Sequence, residues 1–207
     1  SNVATVTLDV TPVNDPPSFT PGPDVTVPED GGESAFAWAT DIAPGPAAAV
    51  DEIDQTVAFT VTHDAVDLFA VEPSLSGTGT LSFTPDEDAF GMATVTVQAW
   101  DDGGTANDGD DATTPITFTI TVTNVNDAPV ATDVLHMVPE DTAVIVKAED
   151  VALDVDGDAL AIVAVDAALS GTTTVVDGTA IYTPNLDIHG VDTFTYTVGD
   201  PGGLTAG

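Results

Sequence analysis

Acids crowd this chain in short runs: Asp51-Glu52-Ile53-Asp54, Asp86-Glu87-Asp88, Asp108 with Asp110 and Asp111, and Asp154-Val155-Asp156-Gly157-Asp158. Such spacing presents several hard oxygen donors from a single loop. The chemistry it suits is divalent-cation binding; calcium takes six to eight oxygens at about 2.3–2.6 Å. The last run has the alternate acids and glycine of a generic calcium loop. A plainer role competes at each position, because aspartate in a turn commonly serves the turn itself. The polar loop from Gly103 to Thr114 is read in that plain way.

Other chemistries lack their residues. The histidines are His63, His136 and His189, and none has zinc-site spacing. There is no Gly-x-Ser-x-Gly elbow, no phosphate-binding glycine loop and no cysteine. A glycosidase needs two opposed carboxylates, and here no pair of acids stands apart in an aromatic setting. His189 reads as a turn residue, and Trp38 and Trp100 read as packed in the core or beside a junction. No catalytic residue is assigned, and the chain is expected not to be an enzyme.

Charge bounds the partners. There are 35 Asp and Glu against one basic residue, Lys147, for a net charge of −34. Such a chain repels itself, so cations, salt or an extended shape must offset the charge. The same charge makes nucleic acid and anionic membranes poor partners, and neither nucleic acid nor membrane insertion is expected. The longest apolar run, Ala159 to Val165, is far too short to insert in a bilayer. No signal peptide or lipid anchor is visible, so the chain reads as an internal or mature piece.

The elements that must position the acids are strands. Ile116, Phe118, Ile120 and Val122 alternate with threonines, as do Val95 and Val97, and Phe194, Tyr196 and Val198. This period of two marks half-buried strands. With no helical period in view, the class is an all-β sandwich. The chain also repeats itself. Val13-Asn14-Asp15 recurs as Val125-Asn126-Asp127 at an offset of 112, and Pro28-Glu29-Asp30 as Pro139-Glu140-Asp141 at 111. Phe83-Thr84-Pro85 recurs as Tyr182-Thr183-Pro184 at 99, together with Gly91 as Gly190 and Asp101 as Asp200. The drop places about twelve extra residues early in the first repeat, read as a surface loop around Ile42 to Val50. The expected divisions are 16–126 for a first repeat and 127–207 for a second without its final strand. Residues 1–15 are read as the last strand and linker of a preceding repeat.

The ordered set of Pro-Glu-Asp, an Asp-rich loop, Tyr-Thr-Pro-Asn, Gly-Val-Asp-Thr-Phe-Thr-Tyr-Thr-Val, Gly-Asp with glycines, and Val-Asn-Asp-Ala-Pro resembles the tandem cadherin-like repeats of large bacterial adhesins and surface proteins. The resemblance implies Greek-key sandwiches in an extended array, with calcium at the junctions. It implies a first junction built from Glu29 and Asp86 or Asp88 at the base of the first repeat. The linker Asn124-Val125-Asn126-Asp127 would join them, with Asp154, Asp156 and Asp200 at the top of the second repeat. It departs from the family linker in having Asn124 where an acid is usual. A second, partial set is Asn14 and Asp15 with Asp51, Asp54 and Asp101, the choice between Asp51 and Asp54 being open. Glu140 and Asp187 are base-type residues of the second repeat.

The functional expectation is a calcium-rigidified structural or adhesive module, extracellular or on the bacterial surface. The partners expected are neighbouring repeats or other copies arranged head-to-tail, with a surface glycan or protein as adhesive ligand. Residues 3–13, a spare last strand, are expected either to complete the second repeat of another copy or to belong to a covalent neighbour. The alternative is a carbohydrate-binding accessory module of a secreted enzyme.

Overall fold

Threonine-rich alternating segments build the longest strands of the structure, a computed structural model that describes residues 4–207. The chain divides into two compact units, one running to Val125 and the other from Asn126.

The first unit contains β1 (Ser18–Thr20), β2 (Val25–Pro28), β3 (Ser34–Ala37), β4 (Thr40–Ala43), β5 (Val57–His63), β6 (Phe69–Leu75), β7 (Thr80–Pro85), β8 (Gly91–Asp101) and β9 (Ile116–Thr123). One sheet runs β2-β9-β8-β5 and the other β3-β7-β6. In the first sheet β9 lies parallel to β2 and antiparallel to β8, so Ile120 faces both Val25 and Ala93. The inner faces of the two sheets share one core, in which Leu81, Val95, Val97 and Ile120 are fully buried beside Phe83. Trp38 is also buried there, 4.3 Å from Phe118 between ring centres, and its indole N–H donates to the Pro23 carbonyl. Such a core is what holds two sheets face to face. Trp100 is 38% exposed. The expected loop at Ile42 to Val50 begins within strand: Ile42 and Ala43 belong to β4, which pairs with β1, and only the residues after it form turns.

The second unit contains β10 (Val130–Ala131), β11 (Val144–Lys147), a single helical turn at Ala148–Val151, β12 (Ala152–Leu153), β13 (Ala161–Val165), β14 (Gly171–Val176), β15 (Thr179–Pro184), β16 (Tyr196–Gly199) and β17 (Thr205–Ala206). Its sheets run β11-β15-β14 and β13-β16-β17, with β10 and β12 as a small pair. A smaller core holds Val146, Val151, Ile162, Ala180 and Val198. Asp177 and Gly178 join β14 to β15 with φ of 48° and 74°, the Asp-Gly pairing that a tight hairpin demands. The Asp192 carboxylate ties this unit together, accepting hydrogen bonds from the Tyr182 hydroxyl and the Ser170 N–H, each at 2.9 Å.

The fold class read from the sequence is the one observed: nearly all β, in Ig-like sandwich units. β7 and β15 occupy the same stretch of their repeats, at the offset the sequence shows. Residues 4–17 form no strand. Of the segment read as a spare last strand, Val3 lies outside the described residues.

Candidate functional site

Each unit carries an acidic end where an Asn-Asp pair meets a late strand and a turn-rich loop. In the first unit the pair is Asn14-Asp15. The Asn14 side-chain amide donates to Asp101 Oδ1 at 2.9 Å and to the Asp110 carbonyl at 2.8 Å. Its own oxygen accepts from Gln55 Nε2 at 2.8 Å. The backbone N–H of Asp15 donates to Glu52 Oε1 at 2.6 Å. Asp101 is placed by the end of β8, and its Oδ1 also accepts from the Gly103 N–H.

The second unit repeats this with Asn126-Asp127. Asn126 donates to Asp200 Oδ2 at 2.9 Å, and the Asp127 N–H donates to Asp156 Oδ2 at 2.7 Å. Asp200 Oδ1 accepts from the N–H groups of Gly203 and Leu204. Asp154 Oδ1 accepts from the N–H groups of Asp156 and Asp158, which folds the acidic run into a tight loop. The two arrangements also share a glycine. A Cβ on Gly103 would stand 1.8 Å from Asn14 Oδ1, and one on Gly202 2.4 Å from Asn126 Oδ1. Only glycine permits that approach of backbone to carboxamide.

The acid that receives the Asp15 N–H is Glu52, with Asp51 and Asp54 exposed on either side. Glu52 precedes β5 by the same five residues that separate Asp156 from β13. Counting back from the strand, not matching Asp-x-Asp, is the signal that finds it. By the same count Asp54 stands where Asp158 does. The loop from Gly103 to Thr114 also does more than solvate the surface, since the Asp110 backbone N–H and carbonyl both hold Asn14.

Several carboxylate oxygens here are buried with no hydrogen-bond partner: Oε2 of Glu52, Oδ2 of Asp101, Oδ2 of Asp154 and Oε2 of Glu29. Glu52 is 1% exposed and Asp101 9%. Leaving a desolvated anion uncompensated costs several kcal/mol, a cost that a cation held by these oxygens would offset. All the donors are oxygen, the set a hard cation such as calcium takes. Charge repulsion is felt directly at Asp158. Burial first, then the carboxylates of Asp154, Asp156 and Asp200, push its carboxyl above the ordinary range. Asp200 goes the other way. Burial acts to raise it, but the Asn126 amide and the N–H groups of Leu204, Gly203 and Gly202 outweigh that and hold it low.

The remaining expected ligands are placed differently. Glu29 is buried in a short turn after β2, and its Oε1 accepts from the Val125 N–H at 2.7 Å. Asp86, Asp88 and Asn124 are exposed, as are Glu140 and Asp187 in the second unit. The Asp187 N–H is held by Asp141, the neighbour of Glu140.

Two Ig-like β units, each with an oxygen-lined acidic end, define the class of protein. Residues 126–207, the whole second unit, match the family model of the bacterial Ig domain. No curated protein matches the chain. Among solved structures, the chain is similar to the endo-fucoidan hydrolase MfFcnA4 from glycoside hydrolase family 107, with a TM-score of 0.37 and 16% identity over 99% of this chain. A second structure of that hydrolase, a variant, gives a TM-score of 0.35 and 15% identity over 99% of this chain. The chain spans 29% of the length of either hydrolase structure.

Proposed function

We propose that this chain is a calcium-stiffened structural or adhesive segment of an extracellular bacterial surface protein. The observation that carries the reading is the pair of partnerless buried oxygens, Glu52 Oε2 and Asp101 Oδ2, beside the Asn14-Asp15 linker. The bacterial Ig domain match of the second unit supports a non-catalytic surface repeat. Among the described residues no helix is long and apolar enough to cross a membrane.

The mechanism follows from charge. Without cations, the carboxylates around each Asn-Asp linker repel and the linker moves freely. Calcium bound by Glu52, Asp101 and Asp15 in one unit, and by Asp154, Asp156, Asp127 and Asp200 in the other, neutralises them and fixes the linker to its unit. Asp158 adds a further oxygen to the second set. A succession of such units becomes a rod that presents an adhesive end to a surface glycan or protein. Extracellular modules bind calcium at about 10⁻⁴–10⁻³ M, so an extracellular medium suffices.

Calorimetric titration of chelator-treated protein with calcium is expected to give saturable binding and a rise in melting temperature. Absence of both sinks the reading. A carbohydrate-binding accessory role needs an exposed aromatic platform. Trp38 is buried, so that role falls to the partly exposed Trp100, and polysaccharide affinity unchanged in Trp100→Ala rules it out.

A further inference from the structure

Two side-chain amides fix the hydrogen bonding at the acidic end of the first unit. An ionised carboxylate and a backbone carbonyl only accept hydrogen bonds. Both N–H bonds of the Asn14 amide are spent on such groups, Asp101 Oδ1 and the Asp110 carbonyl. That orients Asn14, so its Oδ1 must face a donor. Gln55 supplies the donor through Nε2, which orients the Gln55 amide in turn. Turned over, that amide would set its oxygen against Asn14 Oδ1. Its oxygen is therefore held away from Asn14, and there it is buried with no hydrogen-bond donor among the described residues. An unsatisfied buried acceptor costs about 1–3 kcal/mol, and here the network itself imposes it. Gln55 also shares a turn with Glu52, since its backbone N–H donates to the Glu52 carbonyl at 2.9 Å. Three tied residues thus carry buried oxygens without donors: Glu52 Oε2, Asp101 Oδ2 and Gln55 Oε1.

Asn14 and Gln55 line a cleft of about 260 Å³ together with Asp51, Gly103 and Asn107, which gives an ion and its waters a way in. Calcium takes carboxamide oxygens as well as carboxylates. Resting on the calcium reading, we propose that Gln55 Oε1 is a ligand of the cation at the acidic end of the first unit, a neutral ligand that makes this end the weaker of the two sites. Counted back from the strand that follows, Gln55 stands where the second unit has Ala159, and Val50 stands where it has Asp154. The first end thus offers the acids Glu52, Asp101 and Asp15, and the second offers Asp154, Asp156, Asp158, Asp127 and Asp200. Calcium affinity is tuned by the charge of the ligand set. The second end therefore fills first, and the Gln55 end fills at higher calcium. The chain responds to calcium in two steps.

Gln55 and Gln98 are the only glutamines of the chain, so protein isotopically labelled in glutamine alone isolates the carboxamide in question. Gln98, whose Nε2 donates to the Thr113 carbonyl, is the internal reference. In an NMR titration of chelator-treated protein with calcium, the Gln55 carboxamide carbon is expected to shift and that of Gln98 to stay. The Gln55 midpoint is expected about tenfold higher in calcium than that of the Gly203 N–H, which donates to Asp200 and so marks the second end. Calorimetry on the same protein registers calcium binding itself. Gln55→Ala is expected to weaken one class of site about tenfold and leave the other unchanged. With terbium in place of calcium, luminescence lifetimes in light and heavy water count the waters on the ion, and Gln55→Ala is expected to add about one. Affinity lost with no water gained assigns Gln55 to holding Asn14 alone and overturns the proposal. So does a Gln55 carbon that stays in place while calorimetry registers calcium, or a Gln55 midpoint at or below that of Gly203. No calcium binding in the calorimeter is a different result, which overturns the calcium reading and this proposal together.

Discussion

At the scale of single residues, Glu52 is the most informative acid in the molecule. One of its oxygens holds the Asp15 N–H, and the other is buried without a partner. Glu52→Gln keeps a carbonyl oxygen for Asp15 and removes the lone charge. In chelator the variant is expected to melt higher than the parent, by the amount a relieved buried group returns, about 1–3 kcal/mol. In saturating calcium the order reverses, because the parent has its cation and the variant has lost a ligand. Melting curves in the two conditions check the change of sign; a variant that is destabilised equally in both is a packing defect and nothing more. Gly45 sets the tightness of this site, since a Cβ there would stand 1.6 Å from Glu52 Oε2.

Asp192 illustrates the opposite use of an acid, as a structural tie. Burial acts to raise its carboxyl, and hydrogen bonds from the Ser170 N–H, the Tyr182 hydroxyl, and the N–H groups of Thr193 and Leu169 outweigh it, leaving the group below its ordinary value. A depressed folded-state value means that the ionised form favours folding. Its contribution is fully present above the unfolded value of about 3.9 and is lost as pH falls through the lower folded value. Asp192→Asn is therefore expected to lower the melting temperature of the second unit at pH 7 and to flatten its dependence on pH below about 4. Thermal melts at pH 3 to 7 read this out, and parallel curves for variant and parent contradict it.

Among elements, β9 carries the first unit. It joins β2 to β8 and buries Phe118, Ile120 and Val122 along one face. Ile120 has no exposed surface, so Ile120→Ala leaves a cavity between the sheets and is expected to cost about 2–5 kcal/mol. Denaturant unfolding measures that cost, and a change below about 1 kcal/mol means the strands close over the gap. This is also the scale at which the sequence was most legible. Alternation alone locates β8, β9 and β16, because period two is imposed by one buried face. The repeat offset puts Asp101 and Asp200 at equivalent strand ends, where both receive a linker carboxamide. Loops were harder to read. Glu52 is hidden from spacing because the extra residues ahead of it shift the count from the N-terminal side, and a turn's side-chain directions are set by its φ and ψ, not by a period. The hold of the Asp110 backbone on Asn14 has no side-chain signature at all.

For the whole molecule, the governing quantity is the net charge of −34. Most of these acids lie at the surface, where their mutual repulsion is screened over about 10 Å at 0.1 M salt. The charges at the acidic ends are partly or wholly desolvated, and monovalent salt reaches them poorly. The two populations therefore respond to different ions. In chelator, raising sodium chloride from about 0.01 to 1 M, which shortens the screening length from about 30 to 3 Å, is expected to raise the melting temperature steadily as surface repulsion is screened. Millimolar calcium is expected to give a further rise that sodium chloride cannot reproduce, because it compensates the buried oxygens of Glu52, Asp101 and Asp154 directly. Magnesium separates the two effects again. It screens like calcium but demands a smaller, nearly octahedral shell and gives up water reluctantly, so at equal concentration it should act as salt and little more. Calorimetry across the three salts decides the matter. If calcium and magnesium raise the melting temperature alike, cations act on this molecule by screening alone, and its acidic ends are not binding sites.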